Sequence, residues 1–222
     1  YHLGWEAMCH AGFLPAKEHF ETSIKIAGEA GVPLIHAFAC MALAEVLIEL
    51  GSYEEAHDIL KRVRATGARM GSKTIEYQNL WIESYRCLKQ GDRKGAIEYL
   101  IGHLAVGRED GILNHAGWRA SVMAPLYVKA LEAGIEVEHV HRLIRTRSLL
   151  PEPSSPAPDN WPWPYRISTL GTFSMVKDDK PLSLPAKTPK KPLELLKALI
   201  AFGGRYVSEE LLTDALWPDA SG

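Results

Sequence analysis

No apolar run in this sequence reaches the ~18 residues that a membrane-spanning helix requires. A helical membrane protein is therefore not expected, and no stretch reads as a secretory signal peptide. Cysteine is scarce. Cys9, Cys40 and Cys87 are odd in number and each lies inside a helix-like run, so disulfides are not expected and a reducing cytoplasm is the expected compartment. Excess charge is missing too. A formal net charge of −2 gives no overall basic field for nucleic acid. From Trp161 onward, eight Lys and Arg stand against seven Asp and Glu, a local balance of +1. No Ser/His/Asp or Cys/His arrangement can be argued from the sequence, and the carboxylates fall on solvent-like helix faces. Neither an enzyme nor a cofactor is expected.

What the sequence does have is a period. Gly31, Gly71 and Gly111 are 40 residues apart, as are Ala16, Ala56 and Ala96, and as are Gly4, Ala44, Ser84 and Ala124. Phe20, Leu60 and Leu100 keep the same step. Such a period implies stacked supersecondary units. Each unit reads as two helices, Pro33 to Leu50 with Tyr53 to Met70, then Thr74 to Gln90 with Asp92 to Arg108. Two helices cross closely only where one side chain is nearly absent. The small residue of the first helix and the alanine of the second, 12 positions later, mark that crossing: Gly4 and Ala16, Ala44 and Ala56, Ser84 and Ala96.

That 12-residue spacing resembles the tetratricopeptide repeat, whose usual period is ~34 residues. The long repeats here are similar to those of MalT-like bacterial regulators, in which a superhelix lies between an ATPase module and a DNA-binding domain. A fourth unit, Trp118 to about Leu149, is degenerate, with Glu136 at the alanine position and Gly134 three residues out of step, as a capping repeat often is. Residues 151–164 hold six of the 14 prolines and read as an extended linker in which at least one of Trp161 and Trp163 docks on a domain.

The last stretch changes character. Arg166 to Leu170 is rich in strand formers, Gly171-Thr172 turns into Phe173 to Val176, and Asp178 to Pro181 carries turn residues before Leu182-Ser183-Leu184. Leu193, Leu196, Leu199 and Ile200 then fall on one helix face, which Gly203-Gly204 ends. Ser208 is placed to cap a second helix with Glu209 and Glu210 in its first turn and Trp217-Pro218 at its end. Leu170-Gly171-x-Phe173, Lys190-Lys191-Pro192-Leu193-x-Leu195-Leu196, Gly203-Gly204-x-x-Val207-Ser208 and Asp214 to Ala220 resemble the OmpR/PhoB-type winged helix, especially its variant in bacterial transcriptional activators. The resemblance implies that a recognition helix and a β-hairpin wing follow Gly222. Together with Tyr1 as the first residue, it gives the expectation of a piece cut from a longer protein.

The expected fold is therefore mainly α: a tetratricopeptide-like α-α superhelix over 1–150, a linker over 151–164, and an incomplete α/β winged helix over 165–222. Tyr77, Trp81 and Tyr85 recur every four residues and are candidates for holding an effector or partner, as are Trp118 and Arg119. Lys187, Lys190, Lys191 and Lys197 cluster around the first helix of the last domain. Lys190, Lys191 and the helix start at Ser208 are candidates for contact with the DNA backbone. Gly67 to Thr74 looks like a phosphate-binding loop, but Ser72 stands where Gly must precede the Lys, and the segment reads as a turn between repeats. His139 and His141 would project about 200° apart on a helix, so no metal site is expected. The function implied is transcriptional regulation, with DNA and an effector or protein partner bound and self-association expected. A helical scaffold for protein–protein interaction is the alternative.

Overall fold

The computed structural model describes residues 1–153, 157–182 and 190–217. The chain divides into two compact units, 1–163 and 164–222.

The first unit is all helical. Its elements are α1 (His2–Cys9), α2 (Phe13–Glu29), α3 (Pro33–Glu49), α4 (Tyr53–Met70), α5 (Lys73–Gln90), α6 (Arg93–Glu109), α7 (Ala120–Glu132) and α8 (Val137–Arg147). Each of these helices packs on the next in sequence from α1 to α8, and α3 also packs on α5, α5 on α7 and α6 on α8. The 40-residue period divides further. Ala11, Gly31, Gly51, Gly71, Gly91 and Gly111 stand 20 apart, and every one has a left-handed backbone, with φ between 55° and 85°. At each, the next amide reaches back to a carbonyl five residues earlier, as in Ser52 N to Leu47 O at 2.8 Å and Asp92 N to Cys87 O at 2.9 Å. This closure leaves the helix in a new direction, and glycine adopts it without the steric cost that a Cβ imposes. The 17- or 18-residue helices α2 to α6 are therefore cut to length by the placement of these residues.

The small residues lie at the crossings. Ala16, Ala44 and Ala56 are wholly buried, and a Cβ on Gly4 would come within 2.6 Å of the Phe20 ring. Ser84 meets the backbone of Ala96 directly, its Oγ 2.7 Å from the carbonyl oxygen. Two helices are covered on all sides. Met41 to Ile48 of α3 is continuously buried, as is Trp81 to Cys87 of α5. α5 nevertheless carries buried polar groups; Gln78 Oε1 and Trp81 Nε1 have no hydrogen-bond partner, while neighbours satisfy Asn79 and Glu83. Asn79 donates to the Leu60 carbonyl, while Glu83 accepts from Arg86 at 2.7 Å and pairs with His57 at 2.8 Å.

α6 and α7 are joined by a ten-residue non-helical segment, Asp110 to Arg119, here called the strap. Beyond α8, Trp161 is only 1% exposed and Trp163 packs against the same core. Asn160 fixes this approach by donating to the Leu131 carbonyl and accepting at its own carbonyl from His141. Residues 157–163 thus form part of the first compact unit.

The second unit holds a three-stranded antiparallel sheet in the order β1 (Tyr165–Ser168), β2 (Ser174–Lys177), β3 (Lys180–Pro181). Tyr165 pairs with Lys177 and Ser168 with Ser174. Asp178 and Asp179, both at positive φ, make the two-residue turn between β2 and β3. Pro181, which has no N–H to give, sits in the edge strand. Two helices follow, α9 (Lys190–Ala201) and α10 (Glu209–Leu216), packed on one another. Gly203 and Gly204, at φ 90° and 71°, stop α9. The Ser208 hydroxyl accepts from the Leu211 amide at 3.3 Å and caps α10. The expected strand at Leu182-Ser183-Leu184 and the motif end at 218–220 fall largely outside the described residues. No helix among the described residues is long and apolar enough to cross a membrane.

Candidate functional site

The strap touches four helices of the first unit. A Cβ on Gly117 would overlap the Trp5 indole of α1. Arg119 reaches α3, where its Nη1 donates to Glu49 at 2.9 Å and its Nη2 lies 3.6 Å from Glu45. His115 stacks on Trp81 of α5 with ring centroids 4.7 Å apart, and Gln78 of the same helix donates to the Ala116 carbonyl. Trp118 lies under the Arg147 guanidinium of α8, 5.0 Å from its ring centre.

Beneath the strap, Glu45 and Glu49 stand one turn apart on α3 in unlike surroundings. Glu45 is fully buried and neither carboxylate oxygen has a hydrogen-bond partner. Burial pushes its carboxyl well above the usual range, and nearby Arg119 offsets this only in part. Burial also acts on Glu49, but Arg119, the Tyr85 hydroxyl donating at 2.9 Å, and Lys89 at 3.4 Å outweigh it and hold this carboxyl below the ordinary value. The two carboxyls are thus shifted in opposite directions, Glu45 up and Glu49 down.

A second polar group lies around Tyr77. Its ring is 4.1 Å from His103 and 6.1 Å from His115. His103 Nδ1–H donates to the Tyr77 carbonyl and His115 Nδ1–H to the Ala116 carbonyl, which leaves each Nε2 as a buried acceptor without a partner. Burial pushes His103 down to about 3 and His115 down to about 4. Burial also lowers His139 and raises the Tyr77 phenol to about 12.

Tyr77, Trp81 and Tyr85 are interior residues, 1%, 0% and 5% exposed. The strap brings Trp118 and Arg119 to the same region, and Arg119 and Tyr85 share the Glu49 carboxylate. Glu45, Glu49, Gln78 and His115 join the cluster without having been singled out in the sequence. One signal was there: Glu45 interrupts the otherwise apolar run Met41 to Ile48.

The remaining candidates separate. Lys190 is exposed at the start of α9. Lys191 is engaged within its own unit, donating to the Leu216 carbonyl at 2.8 Å, pairing with Glu194 and lying 5.2 Å from the Trp217 ring centre. Lys197 lies over Phe173, and Lys187 is outside the described residues. Gly67 to Thr74 spans the end of α4, the two-residue turn Gly71-Ser72 and the start of α5, with Gly71 left-handed and Ser72 capping α5, and it borders a cavity of about 400 Å³ where Lys73 pairs with Glu76. Cys40 Sγ lies 3.7 Å from His36, and burial pushes the thiol up, away from the thiolate that nucleophilic attack needs. Among the described residues, no three side chains are grouped so as to hold a metal.

Compared with protein families, curated proteins and solved structures, the chain matches none of them.

Proposed function

We propose that the chain is part of a bacterial transcriptional regulator. In this reading the first unit is a superhelix of long tetratricopeptide-like repeats that binds an effector or protein partner, and the second is the beginning of a winged-helix DNA-binding domain. The observation that carries the DNA-binding half is the arrangement of the second unit. An antiparallel β1-β2-β3 sheet is followed by α9, a double-glycine stop, and α10 capped by Ser208. That is the element order which the resemblance to the OmpR/PhoB type implies. Lys190 is its exposed phosphate candidate; Lys191 supports the fold as well, through the end of α10.

A second reading, a protein–protein scaffold without DNA binding, is favoured by the interior of the first unit, where aromatic and acidic groups gather under a non-helical strap. DNA binding across salt decides between them. The chain, and the chain with any natural sequence that follows Gly222, are titrated with promoter DNA from about 50 to 200 mM salt. Affinity that falls steeply with salt, with a slope reduced by about one in Lys190→Ala, supports the regulator. No binding by either form under any salt favours the scaffold.

A further inference from the structure

The strap's grip on α3 is half made. Arg119 carries five N–H donors in a fork suited to two carboxylate oxygens. Only Nη1 makes a hydrogen bond, to Glu49 Oε1 at 2.9 Å. Nε and Nη2 are buried without hydrogen-bond partners, and Glu45 Oε2 stands 3.6 Å from Nη2, beyond hydrogen-bond reach. Glu45 is fully buried, and Arg119 is the cation paired with it. Glu49 is the opposite case, holding Arg119, Tyr85 and Lys89 at once. Two acids at i and i+4, walled by Tyr85, are thus arranged for a planar cation between them. The cation that the backbone brings there is tethered at the end of the strap, next to Trp118, and does not seat squarely.

We infer that the Glu45–Glu49 pair is a recognition site for a guanidinium group, and that Arg119 is its built-in occupant, displaced when a ligand brings a guanidinium of its own. The inference rests on reading the strap-covered cluster as the effector or partner site. Displacement frees the strap from α3. Its other holds are a stacked ring, one side-chain hydrogen bond, the close approach of Gly117 to Trp5 and the Arg147 guanidinium over Trp118. Because Arg119 competes, the ligand's apparent affinity is reduced by the fraction of molecules in which the site is open.

Methylguanidinium and the peptide Gly-Arg-Gly are the probes, followed by calorimetry and by the fluorescence of Trp81 and Trp118. Arg119→Ala empties the site and is expected to bind methylguanidinium at least about tenfold more tightly than the unaltered chain. Arg119→Gln, which keeps the length of the side chain, serves if the alanine variant does not fold. Adding Glu45→Gln and Glu49→Gln is expected to abolish that binding. Gly117→Ala, which loosens the strap and keeps Arg119, is expected to strengthen it. A tighter response to Gly-Arg-Gly assigns the source to a polypeptide; an equal or tighter response to methylguanidinium assigns it to a small molecule. An Arg119 variant that binds neither probe, or binds equally after both acids are neutralised, overturns the inference. Loss of DNA binding with guanidinium binding intact counts against the regulator reading alone.

Discussion

Ser84 Oγ donates to the Ala96 carbonyl at 2.7 Å, so the two residues that mark a helix crossing in the repeat are in direct contact. Other units place Ala44 and Ala124 at the same step, and both are buried. Ser84→Ala is therefore expected to cost no more than about 1 kcal/mol. Ser84→Leu forces a branched side chain against the α6 backbone and is expected to cost about 1–3 kcal/mol or more. Urea unfolding of the two variants measures the difference. Equal costs would mean that the crossing is not close-packed.

Ala11 is the one alanine in a series of left-handed helix ends otherwise made by glycine, with φ of 55°. A Cβ in that conformation costs about 1–2 kcal/mol. Ala11→Gly is expected to stabilise the first unit by about 1 kcal/mol, seen as a raised urea midpoint with an unchanged slope.

Trp161 is the largest group that the proline-rich stretch contributes to the core, and it is 1% exposed. Trp161→Ala is expected to destabilise the first unit by about 3–5 kcal/mol. Hydrogen exchange should quicken at α7 and α8, where Asn160 and His141 tie the approach. A free linker would give no change at either helix.

His103 and His115 are buried neutral, with folded values of about 3 and about 4. An unfolded histidine takes up a proton near pH 6.5. Both folded values are depressed, so the unfolded chain binds protons first. The stability these groups contribute is complete above about pH 6.5 and is lost progressively as pH falls toward the folded values, by up to about 1.4 kcal/mol per pH unit for each site. Tyr77, His115 and His139 surround His103, and its replacement by Gln should flatten the urea midpoint between pH 6.5 and 4.5. An unchanged pH profile would place the acid sensitivity elsewhere.

The helices were legible because their determinants are local. Gly31, Gly51, Gly71 and Gly91 announce each turn, and Ser208 and Gly203-Gly204 bound the last helices by chemistry that acts within one turn. Ala11, an alanine at a glycine position, hid one of those ends. The site was legible only in pieces. Tyr77, Trp81 and Tyr85 share a helix face, but whether that face is open or covered depends on where Asp110 to Arg119 lies. That placement is decided by partners 70 and 38 residues away, Glu49 for Arg119 and Gln78 for Ala116. Local pattern carries no record of such pairings. Glu45 looked like a surface acid because composition does not reveal that α3 is enclosed on every side.

The left-handed residues spaced 20 apart also govern how this chain can change its length. Each residue of an α-helix advances the face by 100°, so deleting one within Val46 to Ile48 would swing Glu49 away from Glu45 and carry every later crossing out of register. Losing or gaining a block of 20 removes or adds one helix and one turn, which keeps the helix ends in step but not the crossing residues; a block of 40 keeps both. Insertions and deletions of 40 residues leave the remaining crossings matched, whereas single-residue ones do not. The strap is where this counting stops, and its ten residues without helical phase are where extra length can enter the first unit without rotating a helix.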